Sequence, residues 1–386
     1  MYLFSVRLNK PPAEPPGPMT TCLPAEILRR AKWVICAIIL LLCAPGTAVS
    51  QQQDPGGGLS AMTEKKEHID VSFVTLRNQT GNQDPAKFFG GSRGEMQAGV
   101  CSVSFSPVWG LEDLANSVPF YIPDEKIELT AIRKVPRKNL YREVENFSRD
   151  NSGNLVLYFH GYNIDFEKSC RRSALFQRAL GLDERLLLFS WPADGNMLKY
   201  TWDEADLVWS VPYMARFLDD LSARIGNGRL DLVAHSLGAR GAVQALVRMA
   251  YREQKEPILN ELVLIAPDID ADIFQTELPQ LSTMARRITV YVSDNDRALR
   301  LSQEVHGYRR LGQAGEQLRI LDGVEMVDIS ALNSTRISGH LYHLFNPEVI
   351  EDLIELLNQG KPADQRTSLV RSSRNGLPYW LLVPDS

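Results

Sequence analysis

Acyl-transfer chemistry needs three kinds of side chain: a hydroxyl that attacks, an imidazole that carries its proton, and a carboxylate that holds the imidazole in the right tautomer. The attacking hydroxyl proposes itself as Ser236, in Ala234-His235-Ser236-Leu237-Gly238. Small residues stand two before and two after it, as a backbone must have if it is to fold tightly and lift a serine out of a turn. The apolar run Leu230-Asp231-Leu232-Val233 comes before this pentapeptide, and the helix-like Ala239-Arg240-Gly241-Ala242-Val243-Gln244-Ala245-Leu246 comes after it. The pattern is therefore strand, sharp turn, helix.

Elimination among six histidines gives the base. His68 precedes the catalytic half, His160 falls in an earlier turn, and the ring of His235 is bonded too close to the nucleophile to reach around. His306 reads as part of a surface helix and His343 as a neighbour. His340 remains, in Ile337-Ser338-Gly339-His340, on the loop after the last strand-like run, where Gly339 gives the chain freedom to turn. The acid belongs on the loop after Ile288-Thr289-Val290-Tyr291-Val292. Asp296 is favoured because it opens the helix-like Arg297-Ala298-Leu299; Asp294 is the alternative acid, or a cap of that helix. Asp268 and Asp270, after the preceding strand, are a weaker option for the acid and read rather as acceptors for loop and helix-start amides. The chain order serine, acid, histidine suits a parallel sheet whose active loops share one edge.

Attack on a carbonyl builds negative charge on its oxygen, which preorganised N–H donors must meet. The run Leu155-Val156-Leu157-Tyr158-Phe159 reads as a fully buried strand leading into His160-Gly161-Tyr162-Asn163. The amides of Leu237 and Tyr162 are the expected donors, with Gly161 allowing close approach.

To position these residues the chain needs strands alternating with helices. Such alternation runs from about 155 to 357 and predicts an α/β fold, a mostly parallel central sheet flanked by helices on both faces. Strand-like pieces between 69 and 132 predict an antiparallel edge of the same sheet. Only about twenty residues separate the strand ending at Ala266 from the one starting at Ile288, room for one helix rather than a large lid. Trp191, Tyr200 and Trp202, with Met197, follow the strand Leu186-Leu187-Leu188-Phe189. They are candidates to line a substrate pocket, although Trp191 and Tyr200 read equally well as core beneath the active edge.

Several segments resemble an uncharacterised family of bacterial α/β-hydrolases that carries a domain of unknown function and is usually labelled esterase- or lipase-like. They are Phe159-His160-Gly161-Tyr162-Asn163 with Phe166-Glu167, Phe189-Ser190-Trp191-Pro192-Ala193 with Tyr200 and Asp203, Ala234-His235-Ser236-Leu237-Gly238, Ala266-Pro267-Asp268-Ile269-Asp270, Ser293-Asp294-Asn295-Asp296-Arg297-Ala298-Leu299 and Gly339-His340-Leu341-Tyr342. Phe73-Val74-Thr75-Leu76-Arg77 and Phe88-Phe89-Gly90-Gly91-Ser92-Arg93-Gly94 resemble the family's entry into the domain. The resemblance spans roughly residues 70 to 357. It implies the α/β-hydrolase fold, with Ser236, Asp296 and His340 in the nucleophile, acid and base roles. Leu237 stands where the family commonly has Met.

The N-terminus has another character. Arg29-Arg30-Ala31-Lys32 precedes an apolar run over 33–44, followed by Pro45-Gly46-Thr47-Ala48-Val49-Ser50, the layout of a secretory signal peptide. Twelve apolar residues fall short of the ~20 that span a bilayer, so the expectation is cleavage after Ser50, with translation starting at Met19, rather than a permanent span. Residues 51–68 read as a linker, 69–358 as a single domain and 359–386 as a tail. Residues 1–50 hold five Lys/Arg and two Asp/Glu, so their removal takes the net charge from −5 to −8. An acidic chain without a Lys/Arg cluster is a poor partner for nucleic acid. Arg171-Arg172 and Arg309-Arg310 read as solvated helix faces. The spacing of Cys101 and Cys170 leaves their pairing open. No metal signature, phosphate loop or cofactor motif is present.

Together these readings imply a secreted or periplasmic serine hydrolase of small carboxylic esters or thioesters that needs no cofactor. The alternatives are an acyltransferase on the same machinery and a non-catalytic binding or scaffold protein of the cell envelope. Residue patterns leave the oligomeric state open.

Overall fold

The runs read as strands between 155 and 292 are too uniformly apolar to face water on either side, and the structure buries both faces. This computed structural model describes residues 67–107, 125–196, 199–251, 256–332 and 339–384; the expected signal peptide and most of the expected linker, residues 1–66, lie outside them, as does Met197. The first three strands, β1 (Glu67–Gln79), β2 (Phe89–Pro107) and β3 (Glu125–Val135), pair antiparallel in chain order. Strand and helix then alternate: helix α1 (Arg137–Asp150), β4 (Leu155–Phe159), α2 (Phe166–Ala179), β5 (Leu186–Ser190), α3 (Tyr200–Ile225), β6 (Leu230–His235), α4 (Leu237–Ala250), β7 (Leu259–Ile265), α5 (Ala271–Met284), β8 (Ala285–Val292), α6 (Arg297–His306) and β9 (Glu325–Asp328). The short α7 (Tyr342–Phe345) and α8 (Pro347–Leu357) precede a closing hairpin, β10 (Leu369–Arg374) and β11 (Leu377–Leu382).

All eleven strands form one sheet in the order β10-β11-β9-β8-β7-β6-β4-β5-β1-β2-β3. From β11 to β1 every neighbouring pair is parallel. Successive side chains of a strand point to opposite faces, and the core divides accordingly. Leu155, Leu157 and Phe159 of β4 join a cluster covered by α1, α3, α4 and α5, while Val156 and Tyr158 join one covered by α2, α6, α7 and α8. This is an α/β fold with a mostly parallel sheet and helices on both faces, as expected, and 69–132 supplies its antiparallel edge.

The reading of 359–386 as a tail is corrected. The chain turns back after α8, and β11 adds parallel to β9 through the pairs Trp380 to Val327 and Leu381 to Asp328. The reason is a buried charge: Arg366 bonds Asp352, Glu325 and the Tyr291 hydroxyl, which docks the segment on the sheet. At the other end, β1 begins at Glu67, inside the segment read as linker. Among the described residues no helix is long and apolar enough to cross a membrane. Cys101 and Cys170 are both buried and unbridged. Burial, then a hydrogen bond with Cys101, pushes the Cys170 thiol up.

Candidate active site

The end of β6 and the start of α4 leave one residue to make the turn between them. Ser236 takes φ 55° and ψ −123° there, a conformation costing a non-glycine residue ~1–3 kcal/mol. Its neighbours show why small residues are needed. A Cβ on Gly238 would lie 2.2 Å from the His160 carbonyl oxygen, and one on Gly161 would lie 2.7 Å from His235 Nδ1 and 3.0 Å from Ser236 Cβ. The β6–α4 turn and the turn after β4 therefore meet backbone to backbone.

On the same edge, His340 follows Gly339, whose φ of 63° is the left-handed conformation glycine accepts freely. Its Nε2 lies 2.8 Å from Ser236 Oγ, and its Nδ1 lies 2.6 Å from Asp296 Oδ2. Asp296 is buried, and its Oδ1 accepts the Leu299 amide at 3.0 Å, so one carboxylate both caps α6 and holds the imidazole. The capping role weighed for Asp294 thus belongs to Asp296, and Asp294 is exposed. Burial works to lower the imidazole pKa, but the Asp296 carboxylate outweighs it and holds His340 above the ordinary imidazole range.

Of the other histidines, His235 packs beside His340 and His343 beside His235. His235 is buried, and with its proton on Nε2 it donates to the His340 carbonyl at 3.0 Å. Its ring lies 4.5 Å from that of His343 and 4.7 Å from that of His340. Burial, then the neighbouring imidazoles, depress His235 far below its usual range, and burial first does the same to His343. Of the three imidazoles only His340 is held above the ordinary range. His306 closes α6 with Nε2 3.0 Å from Glu204.

Leu237 and Tyr162, the expected oxyanion donors, lie on the two turns that meet. The Leu237 amide is the first of α4, one of those that helix geometry leaves without an intrahelical acceptor. Tyr162 lies on the β4 exit turn, its ring 5.0 Å from that of Tyr200. That turn is held by two residues to which sequence reasoning gave no role. Arg77 is completely buried, and its guanidinium donates to the Ile164 and Ala193 carbonyls at 2.7 Å each and, through Nε, to Ser190 Oγ at 2.9 Å. Burial lowers its pKa to about 10. Asp203 accepts the Asn163 amide at 3.3 Å and the Asp194 amide at 2.9 Å, and burial raises its carboxyl to about 6. A charge ending the apolar run Phe73-Val74-Thr75-Leu76-Arg77 was the available signal for the first.

The pocket candidates divide. Trp191 is fully buried, stacked on His160 at 5.0 Å, with Nε1 donating to the His160 carbonyl, so the core reading holds for it. Tyr200 is half-buried between Tyr162 and His306, and its hydroxyl donates to Asp268. Trp202 is 62% exposed beneath the Lys199 ammonium. Asp270 caps α5 as read, accepting the amides of Asp272 and Ile273. Asp268 does not take a helix-start amide; it pairs with Arg310, which is buried in the loop after α6 rather than on a solvated helix face. Arg171 and Arg172 are half-buried on α2, Arg171 pairing with Glu167 at 3.2 Å, and burial lowers the Arg172 guanidinium. No group of three or more His, Cys, Asp or Glu among the described residues is placed to hold a metal ion.

A serine on the turn between a central parallel strand and its helix, with the acid and imidazole arriving on later loops of the same edge, defines the α/β-hydrolase class. Residues 137–358 match the family described as alpha/beta hydrolase of unknown function (DUF900). The chain belongs to that family. Among curated proteins it is 28% identical over 186 residues to the transmembrane and coiled-coil domain-containing protein STS1 of Oryza sativa subsp. japonica, covering 44% of this chain. The match spans only 26% of that relative's length. Among solved structures it is similar to an esterase of Pyrobaculum calidifontis (14% identity, TM-score 0.32, 58% of this chain and 94% of that one). It is also similar to the carboxylesterase CesB (YbfK) of Bacillus subtilis (12% identity, TM-score 0.31, 59% and 100%). With TM-scores this low, the class rests on strand order and the family match.

Proposed function

We propose that this hydrolase-fold protein is a serine hydrolase that cleaves small carboxylic esters or thioesters through an acyl-enzyme, in the secreted or periplasmic compartment that the leader-like N-terminus suggests. The observation that carries the reading is the unbroken hydrogen-bonded chain from Ser236 Oγ through His340 to Asp296. In the first step His340 Nε2 takes the Ser236 proton as Oγ bonds to the carbonyl carbon. The Asp296 carboxylate accepts from Nδ1–H and balances the imidazolium without taking its proton. The Leu237 and Tyr162 amides meet the oxyanion. His340 then returns the proton to the leaving alcohol or thiol as the bond to it breaks. Water, deprotonated by the same imidazole, attacks the acyl-enzyme, and acid product leaves as Ser236 regains its proton. Because the helix between β7 and β8 fills the short connection there, small esters suit the site better than substrates taken from an oil interface.

The test is labelling of the purified protein with a fluorophosphonate, with mass mapping of the adduct. An adduct on Ser236 that disappears in Ser236→Ala and falls at least a hundredfold in rate in His340→Ala is expected. A folded wild type that takes no label overturns the reading in favour of a binding protein. Product analysis with added alcohol separates hydrolysis from acyl transfer.

A further inference from the structure

We infer that Asp268 is a positioning residue for the oxyanion hole, aiming the Leu237 N–H through the backbone of the nucleophile; the inference rests on the hydrolase reading above. Ser236 is held in its left-handed conformation from both sides. Its amide donates to the Ile265 carbonyl at 3.0 Å, and its carbonyl accepts the Asp268 amide at 3.2 Å and the Ala239 amide at 3.1 Å. The peptide group is planar and trans, so the Ser236 C=O and the Leu237 N–H point in opposite directions within one rigid plane. Whatever fixes that carbonyl therefore fixes the direction of the oxyanion donor. Residues 265–268 are the clamp.

The clamp is itself an irregular turn. Ala266 has φ 45°, and its amide donates to the Tyr342 hydroxyl at 2.8 Å as well as to the Tyr291 carbonyl at 3.2 Å. Two non-glycine residues in left-handed conformations thus face each other, and such geometry persists only where the surroundings over-determine it. The Asp268 side chain supplies the surroundings. One carboxylate oxygen accepts Ser302 Oγ at 2.6 Å and Arg310 Nε at 2.7 Å; the other accepts the Tyr200 hydroxyl at 2.8 Å, with Arg240 at 3.7 Å. The Asp268 carbonyl accepts Arg240 Nε at 3.0 Å and Arg310 Nη2 at 3.1 Å.

Donors thus arrive on one residue from α3, α4, α6 and the loop after α6. A buried ion pair contributes little net stability, since desolvation offsets its attraction, so the worth of this one lies in where it holds the backbone. Tyr200 extends the effect, because its ring abuts Tyr162, the other donor residue. With its carboxylate taken up in this way, Asp268 is not a competing acid for His340.

The experiment compares wild type with Asp268→Asn, and with Ser302→Ala as a milder variant that keeps the charge. Turnover of 4-nitrophenyl acetate and inhibition by an aryl trifluoromethyl ketone, whose serine adduct carries an oxyanion, are measured together. The expected result for Asp268→Asn is a 10–100-fold fall in kcat, less than the ~10²–10³ that outright removal of an oxyanion donor costs, because the donor is misaimed rather than lost. Affinity for the ketone should weaken by the same factor while KM stays within twofold. Ser302→Ala should show the same pattern at about three- to tenfold, and it alone decides the matter if Asp268→Asn does not fold. Folded variants with kcat and ketone affinity within twofold of wild type overturn the inference, as does a change confined to KM. Wild type that neither turns over the ester nor takes a fluorophosphonate removes the hydrolase reading itself, a distinguishable failure.

Discussion

His340 stands between two opposed influences. Burial penalises its cation, and the Asp296 carboxylate 2.6 Å from Nδ1 stabilises it; the carboxylate prevails, so the pKa lies above the ordinary imidazole range. The base works only when neutral. On the proposed mechanism, kcat/KM is therefore lost as pH falls through this raised pKa, and the acid limb of the profile has its midpoint above ~6.5, the ordinary histidine value. Asp296→Asn should move that midpoint down, because the raising charge is gone while burial stays, and should lower kcat by ~10⁴, the scale seen when an imidazole loses its orienting carboxylate. A pH profile of both proteins on one ester checks the sign. An unmoved midpoint would show that Asp296 serves only as the cap of α6.

At the scale of elements, the turn after β4 depends on Asp203, which stands on α3 and accepts two backbone amides from two different loops. Asp203→Ala leaves both donors without their acceptor, at about 1–3 kcal/mol for each buried one. Urea unfolding should show that loss, with activity reduced further than stability because Asn163 adjoins Tyr162. Asp203→Asn, which keeps one carbonyl oxygen, should fall between. Elements of this kind show how far the sequence could be read. β4 was legible to the residue, since five apolar residues bounded by polar ones admit few other assignments. The serine turn was legible because a strand, small residues and a helix must follow in that order. Arg310 was not, because an arginine beside another arginine looks solvated until the chain returns to place Asp268 2.7 Å away. Nor was the double duty of Asp296, as capping and imidazole contact use different oxygens of one carboxylate. Local pattern reveals elements and the residues at their ends; with no chemical role to tie them together, Arg310 and Asp268, 42 positions apart, are partners it does not reveal.

At the scale of the molecule, the segment beyond residue 358, where the family match ends, bears on the site it never touches. Arg366 is 3% exposed and donates to Asp352 at 2.9 Å, Glu325 at 2.8 Å and the Tyr291 hydroxyl at 3.1 Å. It thus joins α8, β9 and β8. The Tyr291 carbonyl in turn accepts the Tyr342 hydroxyl, two residues after His340. Arg366→Ala removes the cation and leaves Asp352 buried without it, which should cost about 3–5 kcal/mol of stability, the scale for breaking a buried pair from one side. The pH dependence gives this prediction its sign. Burial already holds the Asp352 carboxyl above its ordinary range, Arg366 only partly opposing it. Without the guanidinium the folded state should bind a proton there more readily still, so the deficit relative to wild type shrinks as pH falls and Asp352 is neutralised. Urea unfolding of both proteins at a series of pH values measures this directly. A deficit that stays constant with pH would mean that the arginine acts through packing of its stem rather than through its charge. If the charge is what docks the closing hairpin, the variant should also lose the proposed ester hydrolysis at the denaturant concentration where it loses β10 and β11, because the same arginine secures the strand whose end braces the His340 loop.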